Sequence, residues 1–341
     1  MSEKLHVLIC PHCLDYGGSQ LSVHHWAKFL DPARFRVSVL AMRPGGLSAK
    51  FESYYDVFYD APGYPNIRDF IRRLRPDIVH ACPPGGKPMG YIERAAALTT
   101  VTQTVMCPRP AANTRHVAMT VVPSDYVLSL QPPGYPVVKI DHPFDMGDYR
   151  QCEVRREFGL PDDKVIIGSF GNDRKENDHF FEIARRCRCE DVHFVIKARP
   201  TLRRLMKRRN LTVISRSLDE EEKIGLFRCF DVFLYPTSNE AYGIVFLEAM
   251  AQGCPVISYD DAANKEVIGP GGLFASYGDL EGMLSHLKSL VNDPRHRRRL
   301  GQAGRNLVRQ RNDPRLIARH YAAMLDGALT MAERRPVGQG M

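Results

Sequence analysis

The chain has 341 residues, 44% of them hydrophobic, with nine cysteines and a formal net charge of +8. Its size and apolar content suit two globular domains with real cores, its odd and scattered cysteines make no disulfide framework, and no apolar run approaches the about 18 residues that span a bilayer. The opening Met1-Ser2-Glu3-Lys4 lacks a secretory signal pattern, and the charge comes without the aromatic-basic alternation of nucleic-acid binders, so a cytoplasmic enzyme with no nucleic-acid partner is the expectation.

In chain order, apolar runs at 5–10, 37–42, 57–59, 78–81 and 117–122 alternate with helix-length segments, as in a parallel α/β sheet. A stretch rich in Pro and Gly from 131 to 148 breaks the alternation, and a short charged helix is expected at 152–158. Strands resume at 165–170, 192–197, 211–215, 231–235 and 256–258. Helices close the chain at 278–291, 297–311 and 314–330, before a frayed tail from about residue 334. The chain thus divides into a domain over 1–148, a linker over 149–163 and a second domain over 164–313. Basic clusters lie at Arg72, Arg73 and Arg75, at 203–209 and at 295–299. They read as solvated helix faces, with an anionic phospholipid surface or a phosphate-bearing substrate as the alternative.

The candidate chemistry concentrates between Glu240 and Ile257. Every residue from Ile244 to Ala251 except Glu248 is apolar, so this helix should be buried on all sides, where an unpaired carboxylate is too costly to be accidental. A ligand rich in hydroxyl groups would supply the missing donors. Gly243 begins the helix and Gly253 ends it, so the free amides of Gly243, Ile244 and Val245 fall near Glu240, in the crevice beyond the carboxyl end of the preceding strand. Such a helix start favours phosphate. Carboxylates for sugar hydroxyls beside amides for phosphate are what a nucleotide sugar requires.

With an α/β half on either side of the boundary, these residues resemble the retaining family 4 glycosyltransferases. Asp231-Val-Phe-Leu-Tyr-Pro236, the Glu-x7-Glu spacing of Glu240 and Glu248, and Glu248-Ala-Met-Ala-Gln-Gly253-Cys-Pro-Val-Ile257 follow the family pattern in order. The resemblance implies a GT-B fold, with two Rossmann-like parallel-sheet domains facing a central cleft and the helix 314–330 completing the first. It implies a nucleoside diphosphate sugar as donor and a saccharide, lipid-linked saccharide or small molecule as acceptor. No metal or cofactor is expected, because positive side chains and helix amides can stabilise the leaving diphosphate, and the basic clusters are compatible with peripheral contact of a cytoplasmic enzyme at the inner face of a membrane.

Carried over by residue, Glu248 would hold the ribose hydroxyls, Glu240 would contact the donor sugar, and the amides of Gly243, Ile244 and Val245 would approach the diphosphate. Gly17 and Gly18, after the first strand, match the glycine-rich loop that faces the diphosphate, with Gln20 beside it. The arginine and lysine that the family uses against the leaving diphosphate are altered here, since Ser169 or Asn172 stands in the arginine's place. Arg174 and Lys175 are the candidates for that task, with Lys197 and Arg199 as substitutes. Backbone groups from Arg216 to Leu218 would read the base.

Other residues have plainer readings. Cys10-Pro-His-Cys13 looks like the motif of thiol-disulfide oxidoreductases, but Gly17-Gly18 interrupts the continuous helix that would lower the first cysteine's pKa. His80 matches a recurrent family position and is expected to be structural. His24 and His25 lie on the first helix, whose buried stripe is Val23, Ala27 and Leu30, leaving one histidine toward solvent. Glu266, in a segment where Ala262 and Ala263 replace the family's glycines, is expected to order its loop. The rival readings are a nucleotide-sugar epimerase of similar fold and a non-catalytic nucleotide-sugar-binding protein.

Overall fold

The computed structural model describes residues 3–83, 89–145, 154–171, 177–198 and 209–333. The chain forms two compact units, Met1–Asp145 with Asn312–Met341, and Met146–Arg311.

In the first unit, strands β1 (Leu5–Pro11), β2 (Phe35–Ala41), β3 (Asp56–Tyr59), β4 (Ile78–Cys82), β5 (Thr100–Thr104), β6 (Met119–Val122) and β7 (Val137–Lys139) form one parallel sheet in the order β3-β2-β1-β4-β5-β6-β7. Helices α1 (Gly18–Lys28), α2 (Ser48–Glu52), α3 (Ile67–Leu74), α4 (Gly90–Ala96) and α5 (Asp125–Ser129) lie between the strands in sequence. From Val7 onward β1 is apolar because both of its faces are covered: Val7 and Ile9 join a core with Trp26, while Leu8 and Cys10 join one with Tyr64 and Tyr91. Two strands escape that signal. β5 turns Thr102, Gln103 and Thr104 inward, where they are hydrogen-bonded; the ring nitrogens of His80 meet the hydroxyls of Thr102 and Thr104 at 2.8 and 2.6 Å. β7 lies in the stretch rich in Pro and Gly and is three residues long.

The C-terminal helix, Pro314–Glu333, belongs to this unit. Its Tyr321 stacks on Trp26 at 5.3 Å between ring centroids, and His142 stacks on the same indole at 6.1 Å. His80 meets both Trp26 and Tyr321 edge-on. His24 and His25 are both buried, which corrects the expectation that one would face solvent. The α1 surface carrying His24 is covered by Phe51, Tyr54 and Tyr55, whose hydroxyl donates to the His24 carbonyl at 3.0 Å.

In the second unit, β8 (Val165–Phe170), β9 (Val192–Lys197), β10 (Leu211–Ile214), β11 (Val232–Leu234), β12 (Val256–Tyr259) and β13 (Gly272–Ala275) form a parallel sheet in the order β10-β9-β8-β11-β12-β13. Its helices are α6 (Val154–Glu157), α7 (Asn177–Arg186), α8 (Glu220–Cys229), α9 (Ile244–Ala251), α10 (Asn264–Ile268), α11 (Leu280–Asn292) and α12 (Pro294–Arg311). Helix α6 lies where the short charged helix at 152–158 is expected, and its Glu157 pairs with Arg216 of this unit at 2.5 Å. β13 is short and begins at Gly272, so neither length nor β-propensity announces it. Among the described residues, no helix is long and apolar enough to cross a membrane.

Burial holds the imidazoles of His80 and His142 at about 3, far below an ordinary histidine. Unfolding lets both rings bind protons that the folded chain refuses. The stability they contribute as neutral groups is complete above about pH 6.5 and is lost as the pH falls toward 3, at about 1.4 kcal/mol per pH unit for each ring. Urea midpoints should therefore fall between about pH 6 and about pH 5, where most carboxylates are still ionised. A flat profile there would contradict two buried neutral histidines.

Candidate functional site

β8 and β11 are sheet neighbours although two strands separate them in sequence, so the strand order reverses between them. Open α/β sheets bind ligands beyond the carboxyl ends of the strands at such a point. The loop leaving β11 there is pinned from below. Ser258 Oγ donates to the Tyr235 carbonyl at 2.8 Å, and Asn264 Nδ2 reaches the carbonyls of Thr237 and Tyr259 at 2.9 and 3.1 Å. Asn239, in the left-handed region at φ 54°, donates its amide to Asp261 Oδ2 at 2.6 Å. Glu240 follows, 8% exposed; its Oε1 accepts from Thr237 Oγ1 at 3.3 Å, and its carbonyl accepts from the Ala263 amide at 3.3 Å.

Gly243, at φ 80°, turns the loop into α9. A Cβ at that position would lie 2.5 Å from the Phe246 ring, so glycine is required by both backbone and packing. It provides no side-chain cap, and the first-turn residues Ile244 and Val245 are half-buried, whereas Phe246 to Ala251 are buried. The helix is thus enclosed along its body but not at its start. The enclosure depends on glycines of α12: a Cβ on Gly304 would meet Met250 at 2.9 Å, and one on Gly301 would meet the Gly253 carbonyl at 1.9 Å. Gly253, at φ 78°, ends the helix before β12.

Inside this helix Glu248 is 4% exposed. Its Oε1 accepts from Lys223 Nζ of α8 at 2.5 Å, while its Oε2, also buried, has no hydrogen-bond partner among the described residues. Burial pushes the Glu248 carboxyl above its usual range, and the Lys223 ammonium opposes that rise. Lys223 Nζ also lies 5.8 Å from the centroid of the Phe170 ring, at the end of β8, which stacks on Phe227 at 4.6 Å. Helix α8 is fixed by a capping box between Asp219 and Glu222. Its Asp-x-x-Glu spacing is readable in the sequence, but nothing in the sequence couples Lys223 to a helix that begins 21 residues later.

The remaining candidates separate. Lys197 ends β9 in register with Phe170, and its carbonyl accepts from the Gly171 amide at 2.8 Å. It therefore shares the carboxyl end of the sheet with Glu240. Arg216 is engaged by Glu157 and Glu222 at 2.5 and 2.7 Å, over the Phe158 ring. Arg174, Lys175 and Arg199 lie outside the described residues. Glu266 receives Arg311 of α12 on both its carboxylate and its carbonyl, a local tie.

In the first unit, Gly17 caps α1 and Gly18 begins it. A Cβ on Gly17 would lie 2.5 Å from Gln20 Oε1. Gln20 is itself buried, with its Nε2 3.1 Å from His12 Nε2 and 3.4 Å from Cys13 Sγ. Cys10 sits inside β1, where burial raises its thiol pKa, the opposite of a redox-active cysteine. Among the described residues, no group of three His, Cys, Asp or Glu side chains could hold a metal ion.

Residues 163–307 match the family model described as "Glycosyl transferases group 1", a span that covers most of the second unit. The chain is 29% identical over 116 residues to the O-antigen biosynthesis glycosyltransferase WclY of Escherichia coli, covering 32% of each chain. It is 27% identical over 215 residues to the lipopolysaccharide core biosynthesis mannosyltransferase LpsB of Rhizobium meliloti, covering 58% of each. The matches thus span less than two thirds of either relative. Among solved structures, Anabaena Alr3699/HepE in complex with UDP and glucose superposes with a TM-score of 0.78 at 15% identity, over 94% of this chain and 99% of that one. The fold is that of the GT-B glycosyltransferases, built of two parallel-sheet Rossmann-like domains.

Asn264 holds the Glu240 loop against β12, so Asn264→Ala should lower stability by about 2 kcal/mol through the buried carbonyls it leaves unpaired. Ala262, at φ 49°, carries left-handed strain that glycine would relieve. Ala262→Gly should therefore shift the melting temperature upward while Asn264→Ala shifts it downward.

Proposed function

We propose that this protein is a retaining, metal-independent glycosyltransferase of the family 4 type, moving a sugar from a nucleoside diphosphate sugar to an acceptor hydroxyl. The observation that carries this reading is Glu248, a carboxylate buried inside an apolar helix at the sheet's switch point with one oxygen unpaired among the described residues. A ribose hydroxyl supplies what that oxygen lacks. Glu240, earlier on the same loop, takes the donor sugar, and the uncapped amides at Gly243, Ile244 and Val245 take the diphosphate. Gripping ribose, phosphate and sugar from one segment orients the anomeric carbon before reaction.

As the glycosidic bond to the diphosphate breaks, negative charge grows on the leaving oxygen, and fixed donors there lower the barrier most. The α9 amides serve this role with Lys197, and Arg174, Lys175 and Arg199 are the further candidates. The names of WclY and LpsB favour a saccharide or lipid-linked saccharide as acceptor, and the HepE complex makes UDP the first donor nucleotide to try.

A thermal-shift panel of UDP, GDP and ADP tests the donor class. One of them should stabilise the protein, by about 2.7 kcal/mol when present at a hundredfold excess over its Kd. Glu248→Ala should abolish that shift. Glu240→Gln should retain the shift while lowering sugar transfer about a hundredfold. Failure of all three diphosphates to raise the melting temperature would sink the reading.

A further inference from the structure

We infer that Lys223 is a positioning residue of the donor site: its ammonium occupies Glu248 Oε1 and fixes the carboxylate so that Oε2 is left to accept from a hydroxyl of the bound nucleotide. The inference rests on the proposed donor reading and adds a residue to it.

Three features of the second unit support it. Glu248 sits within a helix whose other residues are apolar, so no neighbour on α9 can stabilise its charge. A lone carboxylate there pays a desolvation penalty of several kcal/mol and would take up a proton instead. Lys223 meets one oxygen only, so the charge is offset while the other oxygen accepts no hydrogen bond among the described residues. Finally, Lys223 is itself held, since α8 is locked at its start by the Asp219 and Glu222 capping box, and its ammonium lies near the Phe170 ring.

The other charged groups around α9 do not substitute for it. Glu220, on α8, acts on Glu248 in the unfavourable sense. On α10, Lys265 pairs with Asp260 and Glu266 with Arg311 of α12, while Arg297 of α12 turns to Asp231. Removing the ammonium therefore leaves burial and Glu220 acting together, and Glu248 becomes a neutral acid over a wider pH range. A neutral acid is a weaker acceptor for a hydroxyl than a carboxylate.

The test is calorimetric titration of the full chain with UDP, GDP and ADP from about pH 6 to about pH 9, for the wild type, Lys223→Arg, Lys223→Met and Lys223→Gln. With the diphosphate that binds best, Lys223→Met should bind about tenfold more weakly near pH 6 and recover as the pH rises. The midpoint of its recovery should lie at least about one pH unit above that of the wild type, the usual effect of losing an adjacent opposite charge. Lys223→Arg should restore the wild-type profile. Should Lys223→Met fail to fold, Lys223→Gln carries the same comparison with a neutral polar side chain. Combining Lys223→Met with Glu248→Gln should cost nothing beyond Glu248→Gln alone, because the two residues act as one unit.

A Lys223→Met or Lys223→Gln protein that binds like the wild type across this range, or is weakened equally at every pH, overturns the role of Lys223 while leaving the donor site standing. A wild type that binds none of the three diphosphates overturns the donor reading and this inference together.

Discussion

A carboxylate inside an apolar helix is tolerable only if something replaces the water it has lost, and the second unit is arranged around that requirement. Glu248 faces α8 across the core, and the capped start of α8 holds Lys223 within hydrogen-bond distance. Because Lys223 satisfies one oxygen and not the other, the pair stabilises the folded chain less than a fully bonded ion pair would. The other oxygen, without a hydrogen-bond partner among the described residues, is the acceptor that the proposed donor site uses. Buried ionic groups are weak evidence for stability and better evidence for a specific task.

The burial that makes Glu248 costly comes from close backbone packing. Gly301 and Gly304, three residues apart, lie on one side of α12 and let it approach Gly253 and Met250 closer than any side chain would allow. β11 and β12 supply the floor, and Asn264 stitches the intervening loop to it. Helix α9 is therefore closely packed around Glu248, whereas its first turn, at the strand ends, is only half-buried.

Much of this was legible in the sequence. Alternating apolar runs gave the parallel sheets, and Glu248 stood out because polarity is rare in an apolar helix. Gly243 and Gly253 marked the ends of that helix, and both adopt positive φ. What stayed hidden depends on tertiary partners. Thr102, Gln103 and Thr104 make β5 look like a loop until His80 and its other hydrogen-bond partners are seen. Lys223 reads as an exposed helix charge until α9 is placed beside it. The two histidines of α1 could not be assigned from periodicity because both are covered by residues distant in sequence, His24 by the aromatic residues of α2 and its flank and His25 against the Pro143 carbonyl.

The chain begins one domain, builds all of another, and only then returns to finish the first. Asn312 marks the return: its carbonyl accepts the Phe144 amide at 2.9 Å and its side-chain amide reaches the His142 carbonyl at 2.7 Å. Trp26 thus waits for Tyr321, almost three hundred residues downstream. During synthesis the second unit can complete its own sheet as soon as it emerges, while the first, although translated earlier, keeps part of its aromatic core uncovered until the C-terminal helix arrives. The order of translation and the order of completion are reversed, so an unfinished chain would expose the core around Trp26 long after the second unit had folded.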